Sequence, residues 1–180
     1  MTSSGRSTLA AMSISLPIET ERLVIRSFDT DADVEAIAPV FLDPEVMQYI
    51  PGGVLPGSAA VKAMLVHYAE EQIKRGFTFW AVVERATGEV VGEAGLGIFE
   101  QTGDVELGWT LARDRWGRGY VTEAAGACLA AGLADLDVPR IIAVVDAENE
   151  RSKRVAERLE MRFVARLEAF GRPQVLYEAR

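Results

Sequence analysis

The sequence predicts an α+β domain built on one mixed sheet with helices against its faces, and three observations carry that prediction. The apolar period switches from helical to strand-like and back along the chain. Three strand-like runs in the middle are joined by hairpin-type turns. A glycine-containing loop then leads from a strand directly into an Ala-rich helix. With 180 residues, 49% of them hydrophobic and 26% charged, the chain has the size and balance of one soluble domain with a real core. No apolar run approaches the ~20 residues that span a bilayer. The expected organisation is a flexible Ser/Thr-rich tail over 1–18 followed by a single domain over 19–180.

Residues 23–26 read as a first strand. Val34, Ile37, Ala38, Phe41 and Leu42 keep helical spacing, so a helix is expected over 31–42, with residues 29–31 as N-caps. A short helix from Pro44 ends at Pro51-Gly52-Gly53. Ser58 is the expected cap of a helix over 59–74, and Gly76 is its stop. Residues 78–84 are aromatic and β-branched, hence a strand. Ala86 to Glu89 has turn chemistry, residues 90–99 continue as a strand, and residues 101–104 turn into a third over 105–111. An antiparallel meander follows from this order. A helix begins after Gly119, with Ala125, Cys128, Leu129, Gly132, Leu133 and Leu136 on one side. A strand over 140–145, a helix over 149–159, and strands near 162–167 and 174–178 complete the chain.

Composition excludes several chemistries. Cys128 is the sole cysteine and His67 the sole histidine, which leaves no internal disulfide and no Cys/His zinc site, so no metal is expected. His67 falls on an amphipathic helix, where a solvated or packed imidazole is expected rather than the base of a Ser-His-Asp triad. A formal net charge of −8 repels phosphate backbones, so nucleic acid is not an expected partner. The lack of a long apolar run makes a membrane equally unexpected, and the lone cysteine makes a reducing cytoplasmic setting the expectation.

Chemistry concentrates between Gly108 and Ala124. Gly117 and Gly119 let the backbone turn tightly and approach a ligand. The helix that follows offers unpartnered N–H groups and the positive end of its dipole. Arg113, Arg115 and Arg118 crowd the same loop, opposed only by Asp114. Together these features describe a seat for a pyrophosphate. No P-loop sequence occurs. Gly92, Gly95 and Gly97 have the order Gly-x-x-Gly-x-Gly with no helix after them, which marks a bulged or closely approached strand rather than a dinucleotide fingerprint.

At these residues the chain resembles the GNAT superfamily of N-acetyltransferases, and within it the RimJ/RimL-like branch of ribosomal-protein N-terminal acetyltransferases. The similarity runs from Glu19 onward. Glu19-Thr20-Glu21-Arg22-Leu23-Val24-Ile25-Arg26 is similar to the branch's first strand. Glu106-Leu107-Gly108-Trp109, followed by the run from Trp116 through Gly117, Arg118, Gly119, Tyr120, Val121, Thr122 and Glu123 to Ala124, resembles its acyl-CoA motif. Asn149-x-x-Ser152 before Arg158-Leu159-Glu160-Met161 resembles its later motif. The resemblance implies a GNAT-like mixed, mostly antiparallel central sheet with helices on both faces, and acetyl-CoA as co-substrate. It implies that backbone groups of Trp109, Thr110 and Leu111 pair with the pantetheine arm and that N–H groups of residues 117–122 hold the pyrophosphate. Asn149 would contact CoA and Ser152 would lie near its sulfur.

The chain also departs from the family pattern. Trp116 and Val121 stand where the superfamily often has Gln or Arg and Gly or Ala. Ala156 replaces a frequent tyrosine acid, Val144 a glutamate base found in some members, and Glu160 a usual glycine, at a cost of roughly 1 kcal/mol. The expected reaction is direct transfer in a ternary complex, with an N–H near Thr110 polarising the thioester carbonyl. Glu106 is the first candidate base, Glu93 the second, and Ser152 the candidate donor to the thiolate, unless Ser152 is simply a helix cap. Cys128 reads as packing rather than as an acyl carrier. The acceptor is a primary amine, in a protein N-terminus or a small molecule. Residues 41–68, with Met47, Tyr49, Ile50 and Pro56, are expected to wall its pocket, joined by Phe79 and Trp80. A homodimer is compatible with the resemblance. Two other readings fit the same loop, a non-catalytic acyl-CoA-binding module and a nucleotide enzyme of another class.

Overall fold

Alternating apolar residues and tight turns produce eight strands, and helical spacing produces five helices, in a computed structural model that describes residues 13–180. The strands are β1 (Ile18–Glu19), β2 (Leu23–Arg26), β3 (Phe79–Glu84), β4 (Val90–Phe99), β5 (Asp104–Leu111), β6 (Ile141–Asp146), β7 (Arg162–Ala169) and β8 (Arg172–Ala179). The helices are α1 (Val34–Phe41), α2 (Pro44–Met47), α3 (Ser58–Arg75), α4 (Tyr120–Asp135) and α5 (Glu150–Arg158). One sheet holds every strand in the order β1-β2-β3-β4-β5-β6-β8-β7. Only the β5–β6 contact is parallel, in keeping with the mixed, mostly antiparallel GNAT-like sheet expected from the sequence.

Successive side chains of a strand face opposite sides, so β5 sorts its residues between two layers. Val105, Leu107 and Leu111 pack with Ala124, Ala125 and Cys128 of α4, with Ile141 and Ala143 of β6, and with Ala156 of α5. Helix α4 lies hard against this face. A Cβ at Gly132 would come within 2.6 Å of Ile141 and 2.7 Å of Leu96. On the opposite face Phe79 lies over Gly97 and Gly108 and stacks on Tyr68 of α3, ring centroids 5.5 Å apart. Val34, Ile37 and Phe41 of α1, Met47 of α2, and Val61 and Leu65 of α3 form the core of that second layer.

The meander β3-β4-β5 pairs as the sequence predicts, with β4 and β5 in register from Gly92↔Leu111 to Phe99↔Asp104. The glycines of β4 are sites of close approach. A Cβ at Gly92 would meet the Thr110 carbonyl at 2.2 Å, and one at Gly95 the Thr78 carbonyl at 2.2 Å.

Several local expectations are corrected. The anticipated tail over 1–18 is packed in its last part, because Ile14 is buried and its N–H donates to the Gly76 carbonyl (3.0 Å), and Ile18–Glu19 forms β1. The rest of that tail lies outside the described residues. Helix α1 starts at Val34, since the Asp29 carboxylate captures the N–H groups of Asp31 and Ala32 in a preceding turn. Gly57, not Ser58, is the N-cap of α3. The last two strands extend past the expected ends and meet in a hairpin through Phe170 and Gly171, both at positive φ. Pro173 is the second residue of β8, near the strand's beginning, where a missing N–H is tolerated.

Helix α5 closes with a left-handed residue at Glu160 (φ 57) and with the Met161 N–H donating to the Ala156 carbonyl (3.1 Å). This is the helix stop that glycine fills best. Glu160→Gly is expected to stabilise the fold by about 1 kcal/mol, a rise of ~2–4 °C in melting temperature. A lower melting temperature would contradict the strain argument.

Candidate active site

Strands β5 and β6 run parallel for only two residue pairs, Val105↔Ile141 and Glu106↔Ile142. Beyond Glu106 they diverge, although β5 continues to Leu111 and β6 to Asp146. The inner edge of β5 from Leu107 onward therefore faces a fork with no strand across from it. A groove of about 560 Å³ opens from this fork, between the N-terminus of α4 and the length of α5, and includes Trp109, Thr110 and Leu111 in its wall.

The loop at the groove's other wall is built by local rules. A 3-10 turn at Arg113–Arg115 leads to Trp116, whose indole N–H donates to the Leu111 carbonyl (2.9 Å). Gly117 (φ 75) and Gly119 (φ 79) then take left-handed conformations that only glycine adopts without strain. Glu123 supplies the first N–H of α4 to find a carbonyl, that of Gly119 (3.0 Å). Among the described residues no backbone carbonyl accepts the N–H groups of residues 117–122. Gly117, Gly119, Tyr120, Val121 and Thr122 line the groove, while the Arg118 side chain lies outside its wall. Free N–H groups at the positive end of a sixteen-residue helix make an anion seat.

A brace from the far edge of the sheet fixes this loop. Arg22 donates to Glu123 from its backbone (2.8 Å) and its guanidinium (2.7 Å), and also to the Arg118 carbonyl (2.8 Å). Its guanidinium lies 4.7 Å from the centre of the Tyr120 ring. The Thr20 hydroxyl donates to the same Glu123 carboxylate (2.6 Å), and the Tyr120 hydroxyl to Glu84 (2.6 Å). Hydrogen bonds from Tyr120 and then Thr87 hold the Glu84 carboxyl below its ordinary range. With the Arg118 carbonyl drawn toward Arg22, the loop's N–H groups are left for the groove.

Two members of the arginine cluster anticipated at the loop do not supply free charge, while Arg118 is in no ion pair but keeps its side chain outside the groove wall. Arg113 pairs with Glu45 (2.7 Å) and Asp43 (3.5 Å), and Arg115 with Glu89 (2.7 Å), Glu84 (3.7 Å) and Asp114. Free cations come from α5, where Arg151, Arg154 and Arg158 all line the groove. Sequence reasoning missed them. Their spacing of three and four residues after a helix start was the available signal.

At the start of α5 the Asn149 side chain accepts the Ser152 N–H (3.1 Å), so Asn149 is the cap and Ser152 is not. The Ser152 hydroxyl instead accepts the Trp109 indole N–H (3.3 Å), and both side chains line the groove. Arg151 lies over the Trp116 ring at 4.2 Å. Of the residues expected to wall an acceptor pocket, Tyr49 and Ile50 line the groove together with Glu45 and Gln48. Phe41 and Met47 are buried core, and Pro56 is not in the wall. Trp80 is fully buried and donates to Gln72 (2.9 Å), which removes it from any pocket.

Two carboxylates occupy the sheet face that carries Phe79. Glu106 stands at the apex of the fork, and burial pushes its carboxyl up to about 7 against the opposing hydrogen bond from the Val144 N–H. Glu93 lies opposite Thr110 in the register, roughly 13 Å along the strands from Glu106. It is 7% exposed and accepts the Thr110 hydroxyl (3.3 Å). Burial pushes it, too, up to about 7, against the Tyr68 and Thr110 hydroxyls.

Residues 22–162 match the sequence profile of the acetyltransferase (GNAT) domain. The chain belongs to the GNAT acetyltransferase family. It is 31% identical over 140 residues to the uncharacterized N-acetyltransferase YoaA of Bacillus subtilis (strain 168), covering 77% of this chain and 78% of that protein. Among solved structures it is similar to a GNAT-family acetyltransferase from Bacillus anthracis, with TM-score 0.78, 28% identity, and 91% of this chain and 98% of that one covered. The ribosomal L7/L12 α-N-protein acetyltransferase RimL in complex with coenzyme A shares the fold, with TM-score 0.78 and 15% identity over 91% of this chain and 97% of that one.

In this acetyltransferase the positions of two missing acid–base groups are filled by packing. Ala156 is fully buried against α4, and Val144 joins a small apolar cluster with Phe99, Ile142 and Leu176. Cys128 is fully buried and its thiol is pushed up to about 12, which makes it inert. His67 is exposed on α3. No cluster of metal-ligating side chains occurs among the described residues.

The raised carboxyl of Glu93 has a definite sign for stability. Folded protein holds this proton more tightly than the unfolded chain does, so its contribution is present at low pH and fades as pH rises from about 4.5 to about 7. Glu93→Gln cannot titrate. Relative to the wild type, it is expected to gain on the order of 3 kcal/mol between pH 4.5 and 7.5, read from urea midpoints. A difference that does not change with pH would sink this account.

Proposed function

We propose that the protein transfers the acetyl group of acetyl-CoA directly to a primary amine, in a protein N-terminus or a small molecule, and that it stands on the RimJ/RimL-like branch. The observation that carries this reading is the convergence of the β5–β6 fork and the N–H-rich loop on one groove. An extended arm can add to the free edge of β5 as a strand would, while its anionic end meets the start of α4. Acetyl-CoA has that shape and charge and brings an activated acyl thioester. A single domain, which residues 14–18 join by packing, works in the cytoplasm and carries the activity.

The groove and the residues around it divide the work in this reading, with Glu106, Glu93 and Arg118 standing outside the groove wall itself. N–H groups of residues 117–122 hold the diphosphate, with Trp116 and Arg118 shaping the loop. Backbone groups of Trp109, Thr110 and Leu111 pair with the pantetheine arm, and Asn149 secures the wall opposite. The arm points into the fork, so the reacting end lies toward the apex, where Glu106 stands. Glu106 takes a proton from the acceptor's ammonium, and the neutral amine then attacks. An N–H of β5 near Thr110 polarises the thioester carbonyl. Ser152, fixed by the Trp109 indole, donates to the departing sulfur. Holding both reactants in one groove supplies much of the acceleration. Glu93, tied to Thr110, is the second carboxylate.

Calorimetric titration with acetyl-CoA tests the donor, and micromolar binding that disappears in Gly119→Glu is the expected result. A folded wild type that binds no acetyl-CoA would remove the acetyltransferase reading. Glu106 is tested by rate. A base whose carboxyl sits near 7 loses its acceptor capacity as pH falls below that value, so kcat/KM is expected to drop on the acid side. Glu106→Gln should lower kcat by about 10²-fold or more, with acetyl-CoA affinity unchanged, and abolish that acid limb. Full turnover in the variant would assign the proton to another group.

A further inference from the structure

Helix α5 carries a run of cations that the fold itself leaves without partners. Of the lysines and arginines among the described residues, only Arg118, Arg151, Arg154, Arg158 and Arg166 are in no ion pair. Residues 1–12 hold no aspartate or glutamate, so no carboxylate side chain from that segment can neutralise them. Four of the five border the groove or its loop, in a chain whose formal net charge is −8. Lys153, on the same helix, is engaged with Glu150 and the Ala147 carbonyl. Arg151 is committed to the Trp116 ring.

We infer that Arg154 and Arg158 form a second anion seat, separate from the N–H groups of residues 117–122, and that this seat takes a phosphate monoester. The inference rests on the acyl-CoA reading of the groove and names which nucleotide end the donor must carry: one bearing a 3′-phosphate besides its diphosphate. Arg154 and Arg158 are one helical turn apart on the groove face of α5, about 6 Å along the axis. Ser152 lies at the opening turn of the same helix and Arg158 at its end, about 9 Å further on. The seat is thus displaced from the thiol end of the groove. Two guanidiniums present planar, paired donors that suit a dianionic phosphate. The loop's neutral N–H groups suit a diphosphate, whose charge is spread over two phosphorus centres.

The test compares acetyl-CoA with acetyl-dephospho-CoA by calorimetry, on the wild type and on an Arg154→Gln/Arg158→Gln variant. Both arginines are exposed, so the substitutions leave the core untouched. Wild type is expected to bind acetyl-CoA about tenfold or more tightly than acetyl-dephospho-CoA, with the preference shrinking as salt is raised. The variant should bind the two donors alike, at the wild type's affinity for acetyl-dephospho-CoA. Arg166→Gln, which removes an unpaired arginine on β7, should change neither affinity. Equal wild-type affinity for the two donors overturns the second seat while leaving the acetyl-CoA reading intact. Equal weakening of both donors in the variant also overturns it and assigns the arginines to the diphosphate. Failure of the wild type to bind either donor overturns both readings together.

Discussion

Every feature of the groove depends on one interruption of backbone hydrogen bonding, the early end of the parallel β5–β6 pairing at Glu106↔Ile142. Buried backbone groups are almost always paired, so a strand edge left facing a cleft is costly unless something arrives to satisfy it. The rest of the fold keeps the two strands apart. Antiparallel pairing holds β5 to β4 along its whole length and β6 to β8 along its whole length, so neither strand can close the gap. Helix α4 wedges against the sheet at Gly132, while α5 rises from the open end of β6 with Asn149 as its cap. The groove is what remains between these fixed parts.

Much of this was legible in the sequence, because it follows from local periodicity. The change from the period of α3 to the aromatic, β-branched run of β3 announced the meander. Gly117 and Gly119 announced a loop that must adopt left-handed conformations, and the Ala-rich stretch after them announced a closely packed helix. Glu160 was readable as a strained helix stop only through the family resemblance, which places a glycine there.

The electrostatics were not legible, because partners are chosen in three dimensions. Arg113 and Arg115 looked like free charge beside the loop, but α2 and the β3–β4 turn deliver Asp43, Glu45, Glu84 and Glu89 to them. Arg154 and Arg158 went unread in the sequence, because only the placement of α5 sets them into the groove. Ser152 matched the pattern of a cap until Asn149 took the role and Trp109 claimed the hydroxyl. Arg22 read only as part of a first strand. Its contact with Glu123 joins residues far apart in the chain, which no local pattern reports.

That last contact gives the edge of the sheet a share in ligand thermodynamics. The β1–β2 hairpin is short, and short edge strands are where local opening begins. Its turn holds Thr20 and Arg22, which grip Glu123 and the Arg118 carbonyl. A ligand that binds the loop only in this braced arrangement would pull the fraying equilibrium of a strand it never touches toward order. The backbone amide of Arg22 thereby becomes a remote gauge of occupancy. Its rate of exchange with solvent would report on whether the groove is full from the far side of the loop.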